Sequence, residues 1–342
     1  LEAVAAQEIG PDLDAFGRLP VLVNGRIKPL DTVARTTLLT FQGRQRVSDP
    51  AVSTPFVSSP VEWLAVVCFD PARADTFPTF RIDDPDVLAL MGISSEDVRI
   101  AYDQPAKKAL AVLGFLPSTR ARFSFNQFRP KLAELERQAH LAETVEPAQR
   151  SRFQKAVLTL YANLITYQRL QYSLILPESQ AFLTELTDFQ DNLPKAVAAA
   201  QAAQAGQPYD SAVLKSVGEM RNRFELLDSQ GSLLAVPPGE GTGIQGWRKT
   251  GRALLDTFDT GSVDPAAFAY AGLGFAWQSK SPEDFDEVVR LYRAELESRF
   301  APQLIKSDAE QRFNRAEPFY SSLVLFVLAF LLGLFSWLCC RF

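Results

Sequence analysis

Histidine is nearly absent from this chain of 342 residues, which holds only His140, and cysteine occurs three times, as Cys68, Cys339 and Cys340. That scarcity excludes a good deal of chemistry. A zinc site needs three or four converging ligands, and neither a CxxC nor an HExxH spacing occurs. A nucleophile activated by an imidazole would have to use His140. GxSxG and a phosphate loop ending in Gly-Lys-Ser are missing too. The glycine-rich stretch "PPGEGTGIQGW" over 237–247 has no lysine-serine ending and reads as a flexible loop. Positive charge is also short, with 35 Lys+Arg against 40 Asp+Glu, and the sequence shows no compensating basic cluster. Nucleic-acid binding, which needs a basic face, is therefore not expected. No residue is assigned catalysis.

What the chain does have is apolar. Hydrophobic residues make up 47% and charged residues 22%, a globular balance that argues against extensive disorder. The run "FYSSLVLFVLAFLLGLFSWL" over 319–338 carries no charge in 20 residues. At about 1.5 Å per residue it covers the roughly 30 Å hydrocarbon core of a bilayer. Tyr320 and Trp337 stand near its ends, where amphipathic rings favour the interface. A C-terminal transmembrane helix is predicted. Arg312 and Arg315 precede it and Arg341 follows, so the charge rule leaves its orientation open. The chain begins at Leu1 and stops four residues past the run, which is expected of a segment of something longer.

Near the start, "LPVLVNGRIKPLDTVART" alternates like a strand up to Asn24-Gly25. Asn-Gly is the strongest short hairpin signal, because both residues accept the positive φ of a type I′ turn. Pro29 lacks an amide donor and places the second strand at an edge. Asp31 is expected to cap a helix reaching Phe41. Ser59-Pro60 starts a short helix, 77–82 reads as a strand, and helical pieces follow at 85–91 and 105–113. From Ser124 apolar residues recur at three and four, through Phe125, Phe128, Leu132 and Leu135, then across 148–176, 182–193 and 209–227. Residues 233–237 read as a short strand, and 247–258, 265–277 and 281–300 as helices. Ser307 or Asp308 is expected to start the last one. The fold class is mainly α: an antiparallel helical bundle with a small β-hairpin and one C-terminal transmembrane helix. Its parts are a hairpin and short-helix subdomain (1–123), a long-helix bundle (124–306), and a linker with the membrane segment (307–342).

Some residues carry two readings. His140, late in a helix, is a solvated surface histidine or, more sharply, an axial haem ligand or proton carrier. Trp63 and Trp247 sit beside loops and could line a cleft. Arg26, Lys28, Asp31 and Arg35 could hold a carboxylate or a haem propionate through charge-assisted bonds. As scaffolding, Asp31 caps its helix and pairs with Arg35 one turn on, and both arginines tie hairpin to helix. Scaffolding is the reading preferred.

The stretch from Phe16 to Gln45 resembles the extracytoplasmic domain of system II cytochrome c biogenesis proteins of the CcsA/ResC type, often fused to a ResB-like part. The residues that carry the resemblance are Gly25, Arg26, Lys28, Pro29, Leu30, Asp31, Thr32, Ala34, Arg35, Gly43 and Arg44. "SPVEWLAVVCFDP", "FRIDDPDVLALMGI" and "SFNQFRPKLAEL" extend it along the chain. The resemblance implies a domain outside the bacterial cytoplasmic membrane, in a machine that handles haem and presents it to apocytochrome c. The expected partners are the membrane, apocytochrome c and a ResB-like subunit or fused domain. The family's tryptophan-rich haem tract and its flanking histidines are not in this sequence. Haem is thus expected in the whole protein rather than here, where an accessory or docking role is expected and any haem lyase activity lies elsewhere. The alternative is a membrane-anchored helical sensor with a closed pocket between its long helices.

Overall fold

The computed structural model describes residues 10–48, 56–102, 104–239 and 243–339. A short helix α1 (Leu13–Gly17) precedes a hairpin, β1 (Pro20–Val23) and β2 (Arg26–Pro29), which runs into α2 (Leu30–Gln42). Then come α3 (Pro60–Phe69), α4 (Pro71–Ala74), β3 (Phe80–Arg81), α5 (Pro85–Leu90), α6 (Ser95–Val98), α7 (Pro105–Val112) and β4 (Arg122–Phe123). The rest is helical: α8 (Phe125–Phe128), α9 (Leu132–Glu143), α10 (Arg152–Gln171), α11 (Phe182–Gln204) and α12 (Ser211–Gln230). The last four are α13 (Thr250–Thr260), α14 (Pro265–Gln278), α15 (Pro282–Ala316) and α16 (Pro318–Cys339). The expected class, mainly helical with a small β element and one long apolar C-terminal helix, is the class observed.

Local chemistry explains most boundaries. Asn24 and Gly25 have φ of 50° and 74°, as the tight turn requires. Pro29 lies on β2, which among the described residues pairs only with β1, so its missing N–H disturbs no ladder there. Ser59 caps α3 by accepting from the Glu62 amide, with Pro60 as the first helical residue. Ser124 and Gln127 form a capping box that starts α8. Gly43 ends α2 in the left-handed region at φ 67°. The 77–82 strand shrinks to Phe80–Arg81, held by β4, which was not foreseen. Residues 233–237 form no full strand either. Leu234 bridges Leu22 of the hairpin and Val236 bridges Arg248.

One hydrophobic core runs from Phe16 to Leu304 and does not break at the expected 123/124 boundary. Phe80 shows why: its ring meets Phe41 at 5.3 Å, Phe128 at 5.8 Å and Tyr167 at 5.3 Å. Asp75 fastens the same seam. Its buried carboxylate accepts from Tyr167 Oη and Gln171 Nε2, both at 2.9 Å, and from Arg129 Nη2 at 2.7 Å. Burial raises its pKa, and these donors and the Arg129 charge pull the other way. At the far end, α9 packs on α10, α11 on α12 and α14, α12 on α13, and α14 on α15. Apart from α11 on α14 these pairs are neighbours in the chain, giving the bundle expected of amphipathic helices.

The tightest crossing is between α12 and α13. A Cβ on Gly251 would stand 2.1 Å from the Asp228 backbone nitrogen, so only glycine lets the two backbones approach this closely. Lys249 Nζ donates to Asp228 O at 2.7 Å beside it. Gly251→Ala is expected to force the helices apart and cost about 3 kcal/mol. A chemical-denaturation midpoint equal to that of the unaltered chain would contradict this.

The expected start of a last helix at Ser307 or Asp308 needs correction. Both lie inside α15, and Ser307 is buried. The break comes earlier, at Phe300, whose φ of −129° and ψ of 22° are not helical, two residues before Pro302. The chain turns again at Glu317, in the left-handed region at φ 42°, and Pro318 then opens α16.

Candidate functional site

The hairpin delivers Asp31, Thr32 and Arg35 onto one side of α2. Asp31 is not the cap. Pro29 holds that position in extended backbone, without a side-chain bond, and Asp31 lies in the first turn of the helix. Its carboxylate, only 5% exposed, accepts from Arg35 Nε at 2.9 and 3.0 Å, one turn along the helix. A buried carboxylate requires full satisfaction. The remaining donor comes from across the chain, as Asn314 Nδ2 reaches Asp31 Oδ2 at 3.1 Å.

The contact continues on both sides. Asn314 Nδ2 also donates to Thr32 Oγ1 at 2.9 Å, and Thr32 Oγ1 donates to Glu310 Oε1 at 2.7 Å. Arg35 Nη1 donates to Gln45 Oε1 at 2.6 Å and reaches Glu317 Oε1 at 3.4 Å. Glu310, Asn314 and Glu317 are spaced by four and three residues, which puts them on one face at the end of α15. The motif "PLDTVAR" thus grips the last turns of the helix that leads into α16.

A second grip comes from α1. Gln311 Nε2 donates to Asp14 O at 3.0 Å, and Arg315 pairs with the Asp14 carboxylate. Arg293 pairs with Asp308 at 2.7 Å and donates to Arg18 O at 3.1 Å. Beyond the clamp, the Phe313 and Phe319 rings meet edge to face at 6.0 Å across the Glu317 bend. The 22-residue helix α16 then stands clear of the domain, long and apolar enough to cross a membrane, with none of its most apolar stretch buried by protein.

The other residues singled out from the sequence lie elsewhere. Gly25 and Arg26 are exposed at the turn and Lys28 is half-buried. Arg26 forms no ion pair among the described residues, and Arg35 bonds Asp31 on its own helix, Gln45 just after it and Glu317. The expected tie from hairpin to helix through these two arginines is therefore not what the structure shows; Arg35 ties α2 to the end of α15 instead. Trp63 does not face a cleft. It is fully buried in α3, 6.2 Å from the Phe41 ring. Trp247 is buried as well, against Phe300 at 5.9 Å. A large flat indole fills core volume that smaller residues would leave empty. His140 lies on the outer side of α9, 63% exposed, with Nδ1 3.3 Å from Glu143 and Nε2 3.8 Å from Glu136. Its ring is 6.2 Å from that of Tyr161.

Chemically this arrangement holds a position. No group of three or more His, Cys, Asp or Glu is placed to hold a metal among the described residues. Cys68 is fully buried, and burial pushes its thiol up to about 12, which disfavours the thiolate. The clamp residues that sequence reasoning missed are Glu310, Asn314 and Glu317. Their only signal was polar spacing along one helical face just before the apolar run.

Neither a scan against protein-family models nor a search of curated proteins returns a match to this chain. Fold and site define a helical domain clamped onto the root of one membrane-length helix.

The clamp predicts coupling. Asp31→Asn and Asn314→Ala should each cost about 2 kcal/mol, and the double variant about 1 kcal/mol less than their sum. Strict additivity in equilibrium unfolding would show that Asp31 and Asn314 do not act together.

Proposed function

We propose that this chain is the extracytoplasmic docking domain of a membrane protein that assembles cytochrome c, with the clamp setting how the domain stands over the bilayer. The observation that carries the reading is the coincidence of motif and clamp. Asp31, Thr32 and Arg35, central to the resemblance, are the residues that seize α15 at the root of α16. A machine that presents haem to an apocytochrome at the membrane surface needs a receiving domain of fixed orientation. Haem and its attachment belong to the whole protein, together with a ResB-like partner, and this domain places the apocytochrome.

The alternative sensor reading calls for a closed pocket between the long helices. Two cavities, of about 280 and 230 Å³, open around 43–122 and between α5 and α10. An exposed His140 flanked by two glutamates also lacks the apolar walls a haem face requires.

The test is haem retention. The full-length protein should purify with haem, this segment should not, and His140→Ala should leave both unchanged. Stoichiometric haem on the segment that is lost with His140→Ala would overturn the docking role.

A further inference from the structure

Although the chain is acidic overall, folding gathers arginines. A cavity of about 280 Å³ opens where the end of α2 meets the β3–β4 ladder, lined by Gly43, Arg44, Ser48, Arg81, Arg120 and Arg122 and by no carboxylate among the described residues. Arg81 and Arg122 stand directly opposite each other in the two-residue ladder, a register that like charges destabilise. Arg81 Nη1 lies 3.6 Å from where a Cβ on Gly43 would stand, so the absent side chain leaves that guanidinium room. Arg122 Nη2 donates to Gln42 O at 3.0 Å, and its buried Nε meets no acceptor among the described residues. Burial first, then repulsion from Arg44 and Arg81, lowers the Arg122 pKa, with Asp83 opposing in part. Asp83 itself is engaged by Arg81 Nε at 2.9 Å.

The cavity lies near the α16 end of the domain. Arg35 Nη1 donates to Gln45 and reaches Glu317, so the residue next to Arg44 shares a guanidinium with the residue just before α16. With α16 in a bilayer, the anion that meets converging arginines there is a phosphodiester of the surface. Planar guanidinium forks match phosphate oxygens.

We propose that this arginine cavity binds a phosphate group, supplied by the headgroup of an anionic lipid beside α16. The site relieves the Arg81–Arg122 repulsion and adds a second hold on the orientation of the domain. It rests on α16 lying in a membrane and is independent of any role in cytochrome assembly.

The full chain in detergent is titrated calorimetrically with short-chain phosphatidylglycerol, short-chain phosphatidylcholine and inorganic phosphate. Phosphatidylglycerol should bind, and Arg122→Gln or Arg44→Gln should weaken it about tenfold, the loss expected for one charge-assisted contact. Arg44 is exposed and makes no hydrogen bond among the described residues, so Arg44→Gln should fold normally. Arg290→Gln, outside the cavity, should change nothing. Inorganic phosphate binding as tightly as the lipid, with the same loss in both variants, would support the site and make its ligand a soluble phosphate. Phosphatidylcholine binding as tightly as phosphatidylglycerol would overturn the anionic-lipid assignment. No binding, or binding indifferent to both substitutions, would overturn the site itself.

Discussion

A buried carboxylate requires partners, and the partners of Asp31 determine how this molecule is put together. Arg35 supplies one from the same helix, and Asn314 supplies the other from 283 residues away. Without the second, a charge would lie buried and half-satisfied, which costs more than any exposed ion pair returns. The end of α15 is therefore drawn against the hairpin and α2. Thr32, Glu310 and Glu317 extend the contact from that single point.

The consequence is directional. Pro318 cannot continue the hydrogen bonding of α15, and Glu317 reverses the backbone into the left-handed region. A bend of this kind could act as a free hinge. Here Arg35 reaches the Glu317 carboxylate, and Asp14 holds Arg315 two residues earlier. The bend is gripped on its domain side, so an apolar helix and a domain of about 300 residues are joined at a defined place. The long-helix bundle contributes by bracing α15 from α14, where Tyr270 and Tyr292 pack at 5.5 Å.

Much of this was legible in the sequence where local rules decide. Asn24-Gly25 marked the hairpin, Ser59-Pro60 and Ser124 marked helix starts, and the uncharged run marked α16. Asp31 was legible as scaffolding, but its role was misjudged by two positions. An aspartate at a helix start serves equally well as cap or first-turn residue, and only the path of Pro29 separates the two. Asn314 was illegible, because a polar residue on a helix face looks solvated until the partner surface is known. Trp63 and Trp247 misled because a neighbouring loop says nothing about depth. The arginine cavity was hidden for a third reason. Arg44, Arg81 and Arg122 are far apart in sequence and meet only through a two-residue ladder too short to announce itself.

The central claim is that the clamp fixes the root of α16 beyond what the bracing by the bundle supplies, and hydrogen exchange tests it most directly. In the unaltered chain, amides of 304–316 should exchange as slowly as those of α14. With Asp31→Ala they should exchange faster by at least tenfold, corresponding to a loss of about 1.4 kcal/mol or more, and should lose more protection than the amides of α11–α14. Equal protection of 304–316 in both proteins would contradict the account.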